Sequence, residues 1–522
     1  MPNAKPSLAE KLKSSNTESP PHLIVKALAG TGKTTTLVEG LNYLKGKKTK
    51  ITPSPQQEVI WEQMKLSKDA KTVCFCSFSN TIVNELKERV PEKCEARTIS
   101  SLGYQAVRNN CNLLPGKEAV NERRVEDLMS KITGRSSKEL RRDYPDQVKT
   151  TLQLVKLCKM NLFTGEEVDE LDEIVDGFEL ELGESRDKIY KMVPKLLAWC
   201  KKVDVDRQID YDDMLWLPIV LNLPVPRFDL LLVDEVQDCN RCQHELAIRM
   251  GRRLILCGDP NQAIYQFAGA ASNSMTLMRD RLEGCVVLPL TVTRRCGKAI
   301  VKEAQRYVME FEAHKDNPAG KVSRMEMRTK KNPTPHPSKD YINHVQDGDM
   351  IICRVNAPLV SECFQFIRQG RKANIRGRSI GDNLVKLIEK LRKKMSGDTT
   401  VEFTGVLDEW ATTEIEKENA KKNPSDGKIQ SFEDRRMCLE VFCEEAKTVT
   451  EVIAKINQLF TDSTTEGILL SSVHKAKGTE ADRVFYIQTP TRPNLTVQQQ
   501  ECENNIKYVG VTRAKKELVF VN

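Results

Sequence analysis

The stretch "LIVKALAGTGKTTTL", Leu23–Leu37, limits what this chain can fold into more than any other part of it. Leu23-Ile24-Val25 is a short apolar run suited to a buried strand. Leu37, Leu41 and Leu44 then recur at i, i+4 and i+7, the spacing of one helix face. Between the two, Ala27-Leu28-Ala29-Gly30-Thr31-Gly32-Lys33-Thr34 fits G-x-x-x-x-G-K-[ST], with Ala in the first place. Strand, glycine-bearing loop and helix together make a phosphate cradle. Gly30 and Gly32 let backbone N–H groups turn inward onto phosphate oxygens, because no side chain blocks the approach. The N-terminus of the helix adds its partial positive charge. Lys33 is placed to reach the β- and γ-phosphates, and the Thr34 hydroxyl to ligate Mg²⁺. Ala27 to Thr35 are therefore candidate nucleotide-binding residues. An ordinary glycine-rich turn is the plainer alternative, and the flanking strand and helix argue against it.

A chain of 522 residues exceeds what one hydrophobic core holds, so several domains are expected. No apolar run approaches 18 residues, and "MPNAKPSLAEKLKSSNTESPP" lacks the apolar centre of a signal peptide, which points to a soluble, cytoplasmic protein. Residues 1–21 read as a loose tail. The net charge of +8 permits a polyanionic partner without requiring one. Sixteen cysteines are scattered, and only Cys239 and Cys242 form a C-x-x-C, so a structural zinc is not expected and a reducing compartment is. His244 and Glu245 adjoin that pair, but no H-E-x-x-H follows.

Along the chain, "KTVCFCSFSN" (71–80) is strand-like and leads into the helical "NTIVNELKERV". Residues 107–208 are rich in Lys, Glu and Arg with spaced Leu and Val, the pattern of a mainly helical insertion. "FDLLLVDEVQDCN" (228–240) restores a strand that is apolar without alternation, as in a parallel sheet buried on both faces. Asp234 and Glu235 stand where that strand ends, which is where open α/β sheets bind ligands. Asp234 suits Mg²⁺, and Glu235 suits orienting or deprotonating an attacking water. Alone, such a pair is as often a loop; beside a phosphate cradle it reads as a hydrolytic site.

"RRLILCGDPNQAIYQFAGA" (252–270) is a third strand carrying Gln262, a neutral amide suited to sensing a γ-phosphate. Tyr265 and Phe267 follow, with flat faces for bases, although by themselves they are core residues before they are contacts. After residue 285 a second sheet is expected to begin, with strands near 349–356, 467–474, 483–489 and 517–522. Residues 315–340, rich in Pro and Lys, read as a surface excursion. The charged stretch 382–465 reads as a second helical insertion.

The order of motifs resembles superfamily 1 helicases of the UvrD/Rep type. The segments that carry the resemblance are "ALAGTGKT", "FSNTIVNELKER", "TISSLG", "VDEVQD", "GDPNQAIYQFAGA", "LTVTRRC", "SSVHKAKGTE" and "YVGVTRAKK". It implies an α/β fold of two RecA-like P-loop NTPase domains with parallel sheets, each carrying a mainly helical insertion. The boundaries expected are 22–106 with 209–285 for the first domain and 286–381 with 466–522 for the second, the insertions being 107–208 and 382–465.

The same resemblance implies ATP and Mg²⁺ as cofactors, and an ATP-dependent helicase moving 3′ to 5′ on single-stranded or tailed duplex DNA. Repair, recombination or replication is the expected setting, with no membrane and a monomer in isolation. By resemblance Lys33, Glu235, Gln262, Arg295 and Arg513 are catalytic, the two arginines acting at the γ-phosphate. Glu480 touches the ribose. Arg294 stands where the family often has a Tyr stacked on the base. The strand path is assigned to Phe78, Asn80, Thr98, Tyr265, Phe267, Arg354 and His474; a structural role for His474 is equally open. Residues 1–26 lack the Gln with which the family reads adenine, Gln56 and Gln57 come after the loop, and Ala268 replaces an Arg. The sequence stops soon after the last motif, so a compact member without a nuclease domain is expected. A protein-stripping translocase and a non-hydrolysing nucleotide switch are the alternatives, and an RNA substrate is not distinguished.

Overall fold

Leu23–Ala27 (β1) and Phe228–Val233 (β4) are interior strands of one parallel sheet, as their lack of apolar alternation demands. In the computed structural model, the residues described are 20–77, 79–163, 168–178, 180, 182, 185–264, 274–327, 336–420, 426–461, 467–490 and 495–522. The tail expected over 1–21 lies almost wholly outside them.

The chain forms two compact units, the first built from the residues up to Leu290 apart from Leu28–Thr31 and Asn261–Ile264, and the second from those two short segments with Thr291–Asn522. The sheet of the first unit adds Val73–Cys76 (β2), Cys94–Arg97 (β3), Gly251–Gly258 (β5) and Val286–Leu290 (β6). Its order is β3-β2-β4-β5-β1-β6, parallel throughout. The last strand corrects the boundary at 285: Val286–Leu290 pairs with β1 in register from Leu23↔Val286 to Ala27↔Leu290, so the first sheet runs five residues further. Because β1 and β4 each pair with β5, their carboxyl ends open on one edge, one strand apart.

In the second unit, two short strands, Val292–Thr293 (β7) and Glu312–Ala313 (β8), pair with each other. The main sheet contains Lys321–Met325 (β9), Met350–Cys353 (β10), Ala373–Arg376 (β11), Phe460–Thr461 (β12), Ile468–Ser472 (β13), Ala481–Ile487 (β14) and Ala514–Val521 (β15). Its order is β12-β11-β13-β10-β14-β15-β9, again all parallel. Residues 315–340 are therefore not wholly a surface excursion, since β9 pairs with β15 from Lys321↔Glu517 to Met325↔Val521. An edge strand half exposed on its outer side, "KVSRM", carries too little apolar signal to announce itself.

Both insertions are helical, and neither has a core of its own. Leu128, Val155, Leu157, Val193 and Leu196 of the first share one apolar cluster with Ile24, Cys74, Leu231 and Leu256 of the sheet. Phe403, Leu407, Trp410, Leu439 and Phe442 of the second join Ile351, Ile375, Leu470 and Phe485. The opposite face of the first sheet is covered by Leu37, Leu41, Ile60 and Trp61.

Charge is buried in the first insertion. Arg124 meets Asp206 at 2.9 Å and Asp213 at 2.6 Å, while Lys159 meets Asp210 at 2.5 Å and Asp213 at 2.7 Å. Lys159 also lies 5.8 Å from the Trp216 ring centroid. Removing one partner of such a network leaves an uncompensated buried charge, which costs about 3–5 kcal/mol. Lys159→Met is accordingly expected to lower the unfolding free energy of the first unit by about that amount in a urea titration. A loss under about 1 kcal/mol would show that the network is not a stabilising element.

Candidate active site

The phosphate loop has its shape because two residues adopt left-handed backbone angles, Gly30 at φ 67° and Gly32 at φ 83°. Gly32 is the N-cap of the helix Lys33–Leu44 and offers no side chain to its first-turn N–H groups. A helix N-terminus without a side-chain cap is a place for an anion. Thr31 ties the loop to itself, its hydroxyl donating to the Leu28 carbonyl at 2.8 Å. Behind the helix, Gln57 donates to the Thr36 hydroxyl at 2.8 Å, and the Trp61 indole to the Thr36 carbonyl at 2.9 Å. Gln57 also closes the capping box on Ser54, so this Gln has a structural task.

At the end of β4 the acidic pair meets the loop residues. The Thr34 hydroxyl donates to Asp234 Oδ2 at 2.6 Å, and Lys33 Nζ lies 3.5 Å from Glu235 Oε1. Asp234 is 2% exposed. Burial, and then the charge of Glu235, push its carboxyl up to about 6 against the pull of Lys33 and Thr34. Burial lowers Lys33, but Glu235, Asp259 and Asp234 outweigh it and raise its pKa. A hydroxyl and a carboxylate at hydrogen-bond distance are the hard oxygen donors that Mg²⁺ takes, so this pair fits the ion.

Glu235 is held in an uncommon conformation, φ 54° and ψ 40°, rare for a residue with a β-carbon. Its neighbour Gln237, 1% exposed, fixes the carboxylate: the amide donates to Glu235 Oε2 at 2.5 Å and to Asp238 Oδ2 at 3.2 Å. The amide oxygen accepts from Asp259 N at 3.0 Å, tying the acidic turn to the end of β5. A β-carbon at Gly258 would fall 2.4 Å from that oxygen, so any larger residue there would push the Gln237 amide from its place. Sequence reasoning missed Gln237; its only signal was a position two residues after Glu235 in "VDEVQD". Gln262 is 5% exposed in the turn Pro260–Gln262.

In the second unit Glu480 forms ion pairs with Arg295 and, at 2.9 Å, with Lys515. Arg513 is 1% exposed; its guanidinium donates to the carbonyls of Val509 and Thr479 at 2.8 and 3.1 Å and to the Thr512 hydroxyl at 3.2 Å. Burial, with the charge of Arg295 next, brings Arg513 down to about 10. Arg295, Arg513 and Glu480 are thus one charged group, while Arg294 is exposed.

Of the strand-path residues, Phe78, Tyr265 and Phe267 lie outside the described residues. Asn80 is exposed in the first turn of its helix. Thr98 caps the helix Ile99–Asn110 by accepting from Ser101 N at 3.1 Å. Arg354 pairs with Glu503 at 3.0 Å. Cys239 and Cys242 are buried thiols, Cys242 donating to the Lys159 carbonyl at 2.9 Å. Among the described residues no group of three or more His, Cys, Asp or Glu side chains converges as a metal cage would, and no helix is long and apolar enough to cross a membrane.

The sequence matches two family models, the UvrD/REP helicase N-terminal domain over residues 9–283 and the UvrD-like helicase C-terminal domain over 467–521. Among curated relatives, it is 22% identical to F-box DNA helicase protein 1 of Schizosaccharomyces pombe, over 95% of this chain and 55% of that protein. It is 24% identical to the ATP-dependent DNA helicase PcrA of Bacillus subtilis, over 55% of this chain and 37% of the other. A probable DNA helicase II homolog of Mycoplasma genitalium is 23% identical over 49% and 36%. The chain thus spans between about a third and a little over half of the length of these relatives. One solved structure, an arterivirus nonstructural protein 10 helicase with DNA, is 15% identical at a TM-score of 0.25, over 56% of this chain and 39% of that one, too slight a likeness to inform the fold.

His474, in the short helix that follows β13, gives the second unit a pH signature. Burial, with Arg354 and Lys477 adding to it, brings its imidazole down to about 3. The unfolded chain therefore binds a proton that the folded one refuses between roughly pH 6.5 and 3, and stability falls as pH drops through that window. Thermal midpoints measured from pH 7 to pH 4 should fall less for His474→Gln than for the wild type. Parallel curves would mean that the imidazole is not held neutral by the fold.

Proposed function

This chain belongs to the UvrD/Rep helicase family, and on that premise we propose that it hydrolyses ATP to move along single-stranded DNA, 3′ to 5′, and to unwind duplex. One observation carries the reading: Lys33, Thr34, Asp234 and Glu235, 200 residues apart in sequence, converge at the carboxyl edge of one parallel sheet. A lysine and a hydroxyl from a phosphate loop facing two carboxylates are what triphosphate hydrolysis needs.

In this reading Lys33 neutralises the β- and γ-phosphates, and Thr34 and Asp234 are the residues that would hold Mg²⁺. The ion, when bound, offsets charge on the phosphates. Glu235 takes the proton of the attacking water, and Gln262 senses the γ-phosphate. Arg295 and Arg513 are assigned to the charge that develops on the transferred group, where an arginine fork is worth roughly 10³–10⁵ in rate. Asn80, Thr98, Arg354 and His474, with Phe78, Tyr265 and Phe267, are assigned to the strand, and Glu480 and Arg294 to the nucleoside. The setting proposed is intracellular, in repair, recombination or replication.

Two measurements test this. Single-stranded DNA should raise ATP turnover at least tenfold, and a 3′-tailed duplex should be opened in preference to a 5′-tailed one; turnover indifferent to DNA would defeat the motor reading. Arg295→Ala should bind ATP as the wild type does while losing about 10³-fold or more in kcat. Normal turnover in that variant would remove Arg295 from the assignment.

A further inference from the structure

The left-handed turn at Glu235 is strained for a non-glycine residue, and such conformations persist only where the surroundings over-determine them. Gln237 grips the carboxylate, but the backbone of the turn is gripped from elsewhere. The Ser274 hydroxyl donates to the Val236 carbonyl at 2.6 Å, and His244 Nε2 lies 2.6 Å from the same hydroxyl. A serine hydroxyl has one proton, and the carbonyl takes it. His244 Nε2 must then be the donor, which fixes the tautomer: Nε2–H to Ser274 Oγ, Ser274 O–H to Val236 O. Burial and the charge of Arg281 bring the imidazole down to about 4, so the ring is neutral and has a single N–H to give.

Three elements meet at this one carbonyl. His244 belongs to the helix Arg241–Met250 and Ser274 opens the helix Ser274–Arg281, while Val236 directly follows Glu235. Both side chains are sealed from water, at 3% and 2% exposure. The two helices are joined a second time by Arg281 donating to Glu245 at 2.5 Å. The Val236 carbonyl also accepts from Cys239 N at 3.1 Å, and Asp238 N donates to the Glu235 carbonyl at 3.0 Å, so the clamp acts on a closed turn.

We infer that Ser274 and His244 are positioning residues for Glu235, holding the Val236 carbonyl and with it the left-handed turn that aims the Glu235 carboxylate. The inference rests on the proposed role of Glu235 in hydrolysis. Neither residue touches the phosphate loop in any described contact, and neither lies in a segment that carried the family resemblance. Their effect falls on the chemical step rather than on nucleotide binding, because Lys33 and Thr34 are held by their own helix.

The test uses the full chain. Ser274→Ala and His244→Leu should each lower kcat for DNA-stimulated ATP hydrolysis about tenfold, with KM for ATP within twofold of the wild type. His244→Gln, whose amide can stand in for Nε2–H, and Ser274→Thr should recover most of the loss. The double variant Ser274→Ala/His244→Leu should lose no more than the worse single one, since both cut the same chain of bonds. Hydrogen exchange at the Asp238 and Cys239 amides, read without turnover, should quicken in the Ala and Leu variants and not in the conservative ones. A wild type without ATPase activity would overturn the hydrolytic reading and leave the clamp to be judged by exchange alone. Unchanged kcat with unchanged exchange would overturn the clamp, as would equal losses in the conservative and non-conservative variants.

Discussion

A carboxylate sealed at the end of a parallel strand is the constraint around which the first unit is arranged. Asp234 is 2% exposed, and a buried carboxylate is costly unless donors meet it. Two do: the Thr34 hydroxyl at 2.6 Å and, at 2.9 Å, the N–H of Glu235. Both depend on the sheet order. The loop that carries Thr34 leaves β1 and the acids leave β4, and these strands are held one position apart by β5. Moving either strand by a place would part the hydroxyl from the carboxylate. Lys33 adds a charge that Glu235, Asp259 and Asp234 all favour, one cation among three carboxylates.

How much of this was legible in the sequence follows from what each feature is made of. β1 and β4 announced themselves because a strand buried on both faces must be apolar without alternation, and the loop because close approach to phosphate demands glycine. Such rules hold residue by residue. Val286–Leu290 and Lys321–Met325 obeyed no local rule. The first, "VVLPL", is an edge strand whose membership of the first rather than the second sheet is settled by pairing with β1, a partner 263 residues earlier in the register Leu23↔Val286. The second alternates weakly and is half exposed. Edge strands take their identity from the neighbour that accepts them.

The site was legible to the same depth. Lys33, Thr34, Asp234 and Glu235 have types that only a few chemistries use, and their convergence follows from the positions of their strands. Gln237, Ser274 and His244 have types that occur anywhere. Their roles lie in distances of 2.5–3.0 Å between elements that no spacing rule connects. Thr98 shows the converse: a residue assigned to a ligand surface by resemblance also serves as a helix cap, its hydroxyl accepting from Ser101 N. Capping and phosphate contact ask for the same side chain, so type alone does not separate them.

The second unit poses the opposite electrostatic problem. Arg513 is buried, donating to two carbonyls and a hydroxyl, and burial followed by the charge of Arg295 brings its pKa down to about 10. Two guanidinium groups set this close repel, and a protein built only for stability would separate them or supply a carboxylate to each. Glu480 is shared instead between Arg295 and Lys515, leaving three cations around one anion. An excess of positive charge on partly desolvated side chains is an electrostatic cost that one shared carboxylate offsets only in part. The charge pattern of the second unit thus inverts that of the first: three cations about one carboxylate, against one cation about three carboxylates.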